Sequence, residues 1–123
     1  MSLGDCYEVH GRFMLGPEGA DYTLVHAEVM GQGRLAGVPY GHCFLIHKAT
    51  DVVHDRSNGR NIEMPRMIYY LLGKIDQSEY WDDTIGRVSR TPKIFEYTQE
   101  EAREFMLETG TFGPWELETE SGY

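Results

Sequence analysis

Cysteine and histidine side chains give this chain its capacity for nucleophilic chemistry. There are two cysteines and five histidines among its 123 residues. One of them, Cys6, opens a segment whose apolar spacing predicts a helix from Cys6 to Leu15, ending at the Gly16-Pro17 pair. The unpaired N–H groups and partial positive charge at a helix N-terminus favour a thiolate and stabilise an oxyanion. Cys6 is therefore a candidate nucleophile.

The start of this helix is predicted to direct the thiol inward. Asp5 is in position to act as N-cap, and Glu8 follows three residues later, as in a capping box. Cys6 then shares one helix face with Val9 and Phe13, which predicts that this face packs on a sheet. A general base for the thiol must accordingly come from another element.

The best candidate for that base is His42, at the start of a predicted strand. If Ala49-Thr50 centres the following turn, Asp55 on the next strand becomes a diagonal neighbour of His42 on the same face. A carboxylate there fixes the imidazole tautomer and stabilises its charged form. Asn58, in the turn after that strand, is an alternative orienting residue, because an amide can do the same job.

His10 is a competing partner for Cys6. It lies four residues later on the same predicted helix, so the two side chains are expected to be neighbours. His10 is thus an alternative base, and Cys6, His10 and His42 together could bind zinc. The second cysteine, Cys43, follows His42 on the strand and faces the opposite side, which predicts a core position. The remaining histidines are interpreted as ordinary strand residues: His26, His47 and His54.

The rest of the sequence supplies the elements that must hold these residues. Strands are predicted over 22–30, 42–47, 52–55 and 94–97, with a Gly-rich loop at 31–41 and a short strand at 84–88 inside an irregular segment, 77–92. Pro65 starts a helix whose apolar stripe, Met64 to Ile75, predicts a face buried in the core. Thr98 and Glu101 form a capping box for a last helix that ends at Gly110. This order predicts an α+β domain: a small antiparallel sheet, an N-terminal Cys-bearing helix and two further helices.

The order of these motifs resembles a known family. Gly4-Asp5-Cys6 opening a helix, Gly41-His42 opening a strand and Asp55 on the following strand are similar to the transglutaminase-like branch of the papain-like cysteine proteins. The cell-wall peptidases of the NlpC/P60 type share this arrangement of a cysteine on a helix and a histidine on a strand. The resemblance runs from Gly4 to Asn58. It implies a papain-like core in which the cysteine is the nucleophile, the histidine the base and a polar third residue orients the histidine.

Two departures from that family stand out. No glutamine precedes Cys6, so the oxyanion hole of the papain type lacks its upstream residue. The aromatic residue that often follows the Gly-His pair comes one position late, as Phe44 after Cys43.

Composition and charge limit the partners of the chain. Its length fits one domain over residues 1–123, with an acidic flexible tail predicted at 116–123. The net charge of −9 argues against nucleic acid and anionic membranes as partners. Neither a transmembrane stretch nor a signal-peptide pattern is present, so a cytoplasmic location is expected. There is no P-loop and no complete GxGxxG motif, and no cofactor is expected.

These observations leave three functions open. The first is a cysteine-dependent hydrolase or acyltransferase that attacks a peptide, amide or ester substrate through Cys6, His42 and Asp55. The second is a non-catalytic binding or accessory protein on a papain-like scaffold, and the third is a small metal-binding protein. With so little sequence before Cys6, the site is expected to be shallow and open or completed by a partner subunit. A homo-oligomer is therefore one expected assembly.

Overall fold

Three α-helices and seven strands form the part of the chain that this computed structural model describes, residues 5–30, 39–73, 80–82, 87–90 and 94–117. The helices are α1 (Cys6–Leu15), α2 (Arg66–Leu72) and α3 (Gln99–Thr109). The strands are β1 (Tyr22–Met30), β2 (Pro39–His47), β3 (Val52–Asp55), β4 (Ile62–Pro65), β5 (Tyr80–Asp82), β6 (Arg87–Arg90) and β7 (Ile94–Tyr97). Short 3₁₀ turns cover Pro17–Asp21 and Ser57–Gly59.

Five of the strands make one antiparallel sheet in the order β4-β3-β2-β1-β7. Strands β5 and β6 pair with each other in a separate antiparallel ribbon. The prediction of an α+β domain with an antiparallel sheet and three helices is confirmed. The sheet is larger than predicted because β4 follows β3 so closely that the chain pairs again before α2 begins.

Apolar side chains cover both faces of this sheet, and each face has its own core cluster. One cluster joins the sheet to α1 and α3: Cys6, Tyr7, Met14, Leu24, Cys43, Leu45, Tyr97 and Ala102. The other lies on the opposite face, below α2: Val25, Ala27, Val29, Phe44, Ile46, Val53 and Tyr70. Cys43 is fully buried in the first cluster, so its predicted core position is confirmed.

The hairpin of β2 and β3 has the register that the sequence predicts. Leu45 lies opposite His54 and Ile46 opposite Val53, which centres the turn between residues 49 and 50. Continuing this register places Asp55 diagonally across from His42 on one face of the sheet. The hairpin therefore brings an imidazole and a carboxylate together without help from distant parts of the chain.

Helix α1 has its predicted length, but its buried face differs from the predicted one. The fully or nearly buried residues are Cys6, Tyr7, His10, Gly11 and Met14, whereas Val9 and Phe13 are only half-buried. The predicted capping box is also wrong. Asp5 makes no side-chain cap, because its carboxylate accepts a hydrogen bond of 2.7 Å from the backbone N–H of Asn58. Glu8 instead pairs with Arg12 on the helix surface.

Helix α3 begins and ends as predicted. The Thr98 side chain accepts from the Glu101 N–H, and the Glu101 carboxylate accepts from the Thr98 N–H, which completes the capping box. Gly110 ends the helix in the left-handed conformation, with φ of 72°. Ala102 is the buried residue of this helix.

The apolar stripe of α2 does not lie in the core, which corrects the prediction for Met64 to Ile75. Helix α2 contacts the sheet through Tyr69 and Tyr70, and its aliphatic residues point outward. Their exposed fractions are 71% for Met67, 49% for Ile68, 73% for Leu71 and 56% for Leu72. The tyrosines reach the sheet because they follow one another on the opposite side of the helix. Ile75 lies outside the described residues.

Truncating the α2 stripe is expected to cost little stability. Leu71→Ala should lower the free energy of unfolding by less than about 0.5 kcal/mol, since the side chain is largely exposed. The matched control is Leu45→Ala on β2, where the side chain is 1% exposed and the expected loss is about 2–5 kcal/mol. Chemical denaturation of both variants measures the difference. Equal losses would mean that the α2 stripe is covered.

The remaining predictions fall partly beyond the described residues. The predicted strand at 84–88 overlaps residues 83–86, which are not described, and the observed strand is Arg87–Arg90. Of the predicted tail, Leu117 is buried, and residues 118–123 are not described. Within the described ranges, none of the helices has the length and apolar character needed to cross a bilayer.

Candidate active site

Cys6 occupies the first turn of α1, where that helix crosses the face of β2. The side chain is completely buried within the cluster beneath α1 and α3. The position of the helix start is set by a contact with the turn after β3, in which the Asn58 N–H donates to Asp5 Oδ1. The sequence reaches this arrangement because Asp5 precedes the helix directly and Asn58 adopts a left-handed conformation, with φ of 53°.

His42 and Asp55 are joined by a buried hydrogen bond. Nε2 of the imidazole donates to Oδ2 of the carboxylate over 2.9 Å. The exposed fractions are 9% for His42 and 1% for Asp55. The hairpin register accounts for the contact, since it makes the two residues diagonal neighbours. The predicted pairing of the candidate base with a carboxylate is thus present in the structure.

The Cys6 thiol interacts with the same imidazole. Burial lowers the pKa of His42, but hydrogen bonds to Asp55 and to Cys6, together with attraction to both, raise that pKa to about 9. Asp55 already engages Nε2, and Nδ1 has no hydrogen bond of regular geometry to the described residues. At neutral pH the ring is an imidazolium between the Cys6 thiol and the Asp55 carboxylate.

Asp55 is the most heavily hydrogen-bonded side chain of the site. Oδ1 accepts from the Ser57 N–H at 3.0 Å and from the Ser57 hydroxyl at 2.6 Å. Oδ2 accepts from the Tyr69 hydroxyl at 2.7 Å in addition to His42. Burial raises the pKa of Asp55, but the hydrogen bonds from His42, Ser57 and Tyr69 outweigh it and hold the pKa well below its usual range. The carboxylate is thus a fixed negative charge.

Ser57 and Tyr69 are parts of the site that the sequence reasoning missed. Ser57 carries a signal that could have identified it, because serine two residues after aspartate commonly closes an Asx-type turn. Tyr69 carries no such signal. It lies in the apolar stretch of α2, and its ring packs on Phe44 with centroids 4.8 Å apart. That packing aims the hydroxyl at Asp55.

His10 is held in a structural role by hydrogen bonds to both ring nitrogens. Nδ1 donates to the Cys6 carbonyl at 2.8 Å, and Nε2 accepts the Arg56 N–H at 2.9 Å. Burial lowers the pKa of His10 to about 4, although attraction to Asp55 opposes this. A neutral ring with both nitrogens engaged is not placed to take a proton from Cys6. His10 instead ties α1 to the chain after β3.

The other alternative residues also find other partners. Asn58 contacts the site through its backbone, and its side-chain Oδ1 is buried without a hydrogen bond to the described residues. Among those residues, no three His, Cys, Asp or Glu side chains are arranged to hold a metal ion. A metal bound by Cys6, His10 and His42 would have to displace one of the two hydrogen bonds of the His10 ring. Of the two candidates for the residue that orients His42, Asp55 rather than Asn58 makes the hydrogen bond to its ring.

Removing the Tyr69 hydroxyl is expected to weaken the site without dismantling it. Tyr69→Phe deletes one hydrogen bond to a buried carboxylate, so the free energy of unfolding should fall by about 1–2 kcal/mol. The same substitution in an Asp55→Asn background should cost clearly less, because the charged acceptor is gone. Denaturation of the four proteins of this double-mutant cycle gives the coupling. An equal cost in both backgrounds would show that the hydroxyl acts elsewhere.

Comparisons with known proteins identify no relative. No family model matches the sequence, and no curated protein or solved structure is significantly similar to it.

Proposed function

We propose that this chain is a cysteine-dependent hydrolase or acyltransferase that acts on an amide or ester bond, peptides included. Cys6 is the nucleophile, His42 the acid and base, and Asp55 the residue that orients His42. The observation that carries the proposal is the continuous series of contacts from the Cys6 thiol through the His42 ring to a buried, four-fold hydrogen-bonded Asp55. Such a series supports a thiolate–imidazolium pair.

The reaction then proceeds in two steps. The Cys6 sulfur attacks the carbonyl carbon, and the His42 imidazolium gives its proton to the departing amine or alcohol. A thioester on Cys6 results. Water or an amine attacks this thioester, His42 takes the proton of the attacking group, and the thiolate leaves. The first-turn N–H groups of α1, which have no acceptor within the helix, are placed to stabilise the oxyanion of both steps.

The order of the elements supports membership in the papain-like group. A cysteine opens α1, a histidine lies near the start of β2, and an aspartate ends the next strand, β3. We infer a papain-like core of the transglutaminase-like or NlpC/P60 kind from this order. Neither cysteine is in a disulfide, which suits a reducing compartment, and we propose a cytoplasmic location.

The burial of Cys6 favours a second candidate function. No part of this side chain is exposed, and only His42 of the three site residues has appreciable surface. A site closed in this way fits a non-catalytic binding or accessory protein that has kept the scaffold. The two candidates differ in whether Cys6 can be acylated.

Acylation by an activated ester separates these candidates. The full chain is incubated with 4-nitrophenyl acetate, and the intact mass and peptide map are followed. We expect one acetyl group on Cys6, its release by water, and faster release when hydroxylamine is added. Cys43→Ala is the matched control and should acylate like the unaltered chain. Cys6→Ser and His42→Ala should both lose the adduct. Absence of acetylation, or its persistence in Cys6→Ser, would contradict the enzyme.

A further inference from the structure

The two cysteines of the chain lie in one buried cluster. Neither is in a disulfide, both are completely buried, and both belong to the core between the sheet and the helices α1 and α3. They come from different elements, since Cys6 starts α1 and Cys43 lies in the middle of β2. Two thiols that share one cluster can form a disulfide with each other, which a single buried thiol cannot do.

Cys43 lies on the face of the sheet that α1 covers, and Cys6 reaches the same face from the first turn of α1. Both side chains are completely buried in one cluster there. The two thiols are also near enough to interact electrostatically, since Cys6 contributes to the raised pKa of Cys43. The packing of α1 on β2 therefore brings the two sulfurs into the same part of the core.

The two thiols have different environments. Cys6 interacts with the ring of His42, an acid–base group of the kind that activates a thiol as a nucleophile. Burial, and then the proximity of Cys6, raise the pKa of the Cys43 thiol well above its usual range. Cys43 consequently keeps its proton and does not compete as a nucleophile for an oxidant. This is the asymmetry of an attacking cysteine and a resolving cysteine.

We propose that Cys6 and Cys43 form a hydroperoxide-sensitive thiol pair, in which Cys6 is oxidised and Cys43 resolves it as an intramolecular disulfide. The Cys6 thiolate attacks the distal oxygen of a hydroperoxide; the O–O bond breaks, and the alkoxide or hydroxide leaves and takes up a proton. Cys6 is now a sulfenic acid. The Cys43 sulfur attacks the sulfur of this group, an S–S bond forms, and the Cys6 S–O bond breaks. The leaving hydroxide combines with the Cys43 proton as water. A cellular dithiol reverses the reaction by exchange.

The regulatory meaning of this step rests on the proposed function. A disulfide on Cys6 removes the nucleophile reversibly and protects it from further oxidation to sulfinic acid. The chemistry of the pair does not depend on any acyl substrate. Because both sulfurs are buried, we expect hydrogen peroxide to react and the bulkier cumene hydroperoxide to react much more slowly.

Mass spectrometry of the full chain tests the pair. The protein is treated with hydrogen peroxide, denatured in the presence of N-ethylmaleimide, and its intact mass and peptides are determined. We expect loss of two hydrogens, no maleimide adduct, and a Cys6–Cys43 cross-linked peptide that dithiothreitol removes. In Cys43→Ala or Cys43→Ser, Cys6 should instead react with dimedone and accumulate about tenfold more sulfinic acid than the unaltered chain.

The outcomes separate this proposal from the preceding one. Sulfinic acid on Cys6 of the unaltered chain at the level of the Cys43 variants would overturn the thiol pair, as would disulfides formed only between molecules. A cross-link in a protein whose Cys6 is never acetylated would support the pair and overturn the enzyme. Acetylation without any cross-link would do the reverse.

Discussion

Replacing Asp55 with asparagine is expected to lower the free energy of unfolding by about 3–5 kcal/mol at pH 7, because it leaves a buried charge on His42 without its partner. The carboxylate oxygens accept four hydrogen bonds, from His42, Ser57 and Tyr69. An amide offers one oxygen, and its NH₂ group would face donors. The loss should be read from urea denaturation monitored by circular dichroism.

The matched control for this substitution is Asp51→Asn. Asp51 also pairs with a cation, accepting two hydrogen bonds from Arg66 Nε at 2.9 and 3.0 Å, but both side chains are more than a third exposed. Exposed pairs of this kind contribute less than about 1 kcal/mol. Asparagine also tolerates the positive φ of 58° at this position. If Asp55→Asn costs no more than Asp51→Asn, the network around Asp55 does not hold the fold together.

The effect of Asp55→Asn should also depend on pH. The pKa of His42 in the folded chain, about 9, lies above the ordinary histidine value of 6.5. A raised pKa contributes stability that is fully present below pH 6.5 and is lost as the pH rises through 9. The difference between the unaltered chain and Asp55→Asn should therefore shrink above pH 9.

Acid is expected to destabilise the protein through a different histidine, His26. Its side chain is fully buried on β1, and neither ring nitrogen has a hydrogen-bond partner among the described residues. Rings of Tyr7, Tyr97 and Trp115 surround it at centroid distances of 4.9, 4.9 and 4.8 Å. Burial lowers the pKa of His26 to about 3. The interpretation of His26 as an ordinary strand residue therefore missed that its ring is buried without hydrogen bonds to the described residues.

The sign of the acid effect follows from this lowered pKa. The unfolded imidazole binds a proton near pH 6.5, whereas the folded one resists protonation down to about pH 3. Stability is thus fully present above pH 6.5 and is lost as the pH falls from 6.5 towards 3, by about 2 kcal/mol at pH 5. His10, with a pKa of about 4, adds a loss of the same sign.

His26→Phe should remove the His26 part of this acid dependence. The variant and the unaltered chain are denatured in urea at several pH values between 7 and 5, and the slopes of the unfolding free energy are compared. His47→Phe on β2 is the matched control for the substitution, because it replaces a strand histidine whose ring is only half-buried. An identical slope for His26→Phe and the unaltered chain would exclude His26 as the titrating group.

The His42–Asp55 contact could be predicted from the sequence because it is local. A tight hairpin fixes cross-strand neighbours once the turn centre is known, and Ala49-Thr50 centres it as the alternation of apolar residues requires. The capping box of α3 was predictable for the same reason, since Thr98 and Glu101 act on each other within one turn. Contacts between Cys6 and β2 required only the further prediction that α1 packs on the sheet.

The sequence predictions were wrong about which helix faces are buried, and they missed contacts between residues far apart in the sequence. Periodicity shows that α2 has an apolar face but not which side of the helix meets the sheet, and Tyr69 and Tyr70 make that contact instead. The buried face of α1 includes His10, which accepts a hydrogen bond from the Arg56 backbone, 46 residues away. No local pattern contains such information. For the same reason the sequence did not predict that Tyr69, on a different element, hydrogen-bonds Asp55.

The pH dependence of Cys6 alkylation tests most directly whether Cys6 and His42 form a thiolate–imidazolium pair. The rate with iodoacetamide is measured from pH 5 to 10 in Cys43→Ala, which has one thiol, and in Cys43→Ala with His42→Ala. We expect the first rate to be nearly constant from pH 6 to 8. The second should rise about tenfold per pH unit, as for an isolated thiol, and should be about 100-fold slower at pH 6.5. Superimposable profiles in the two proteins would contradict the account.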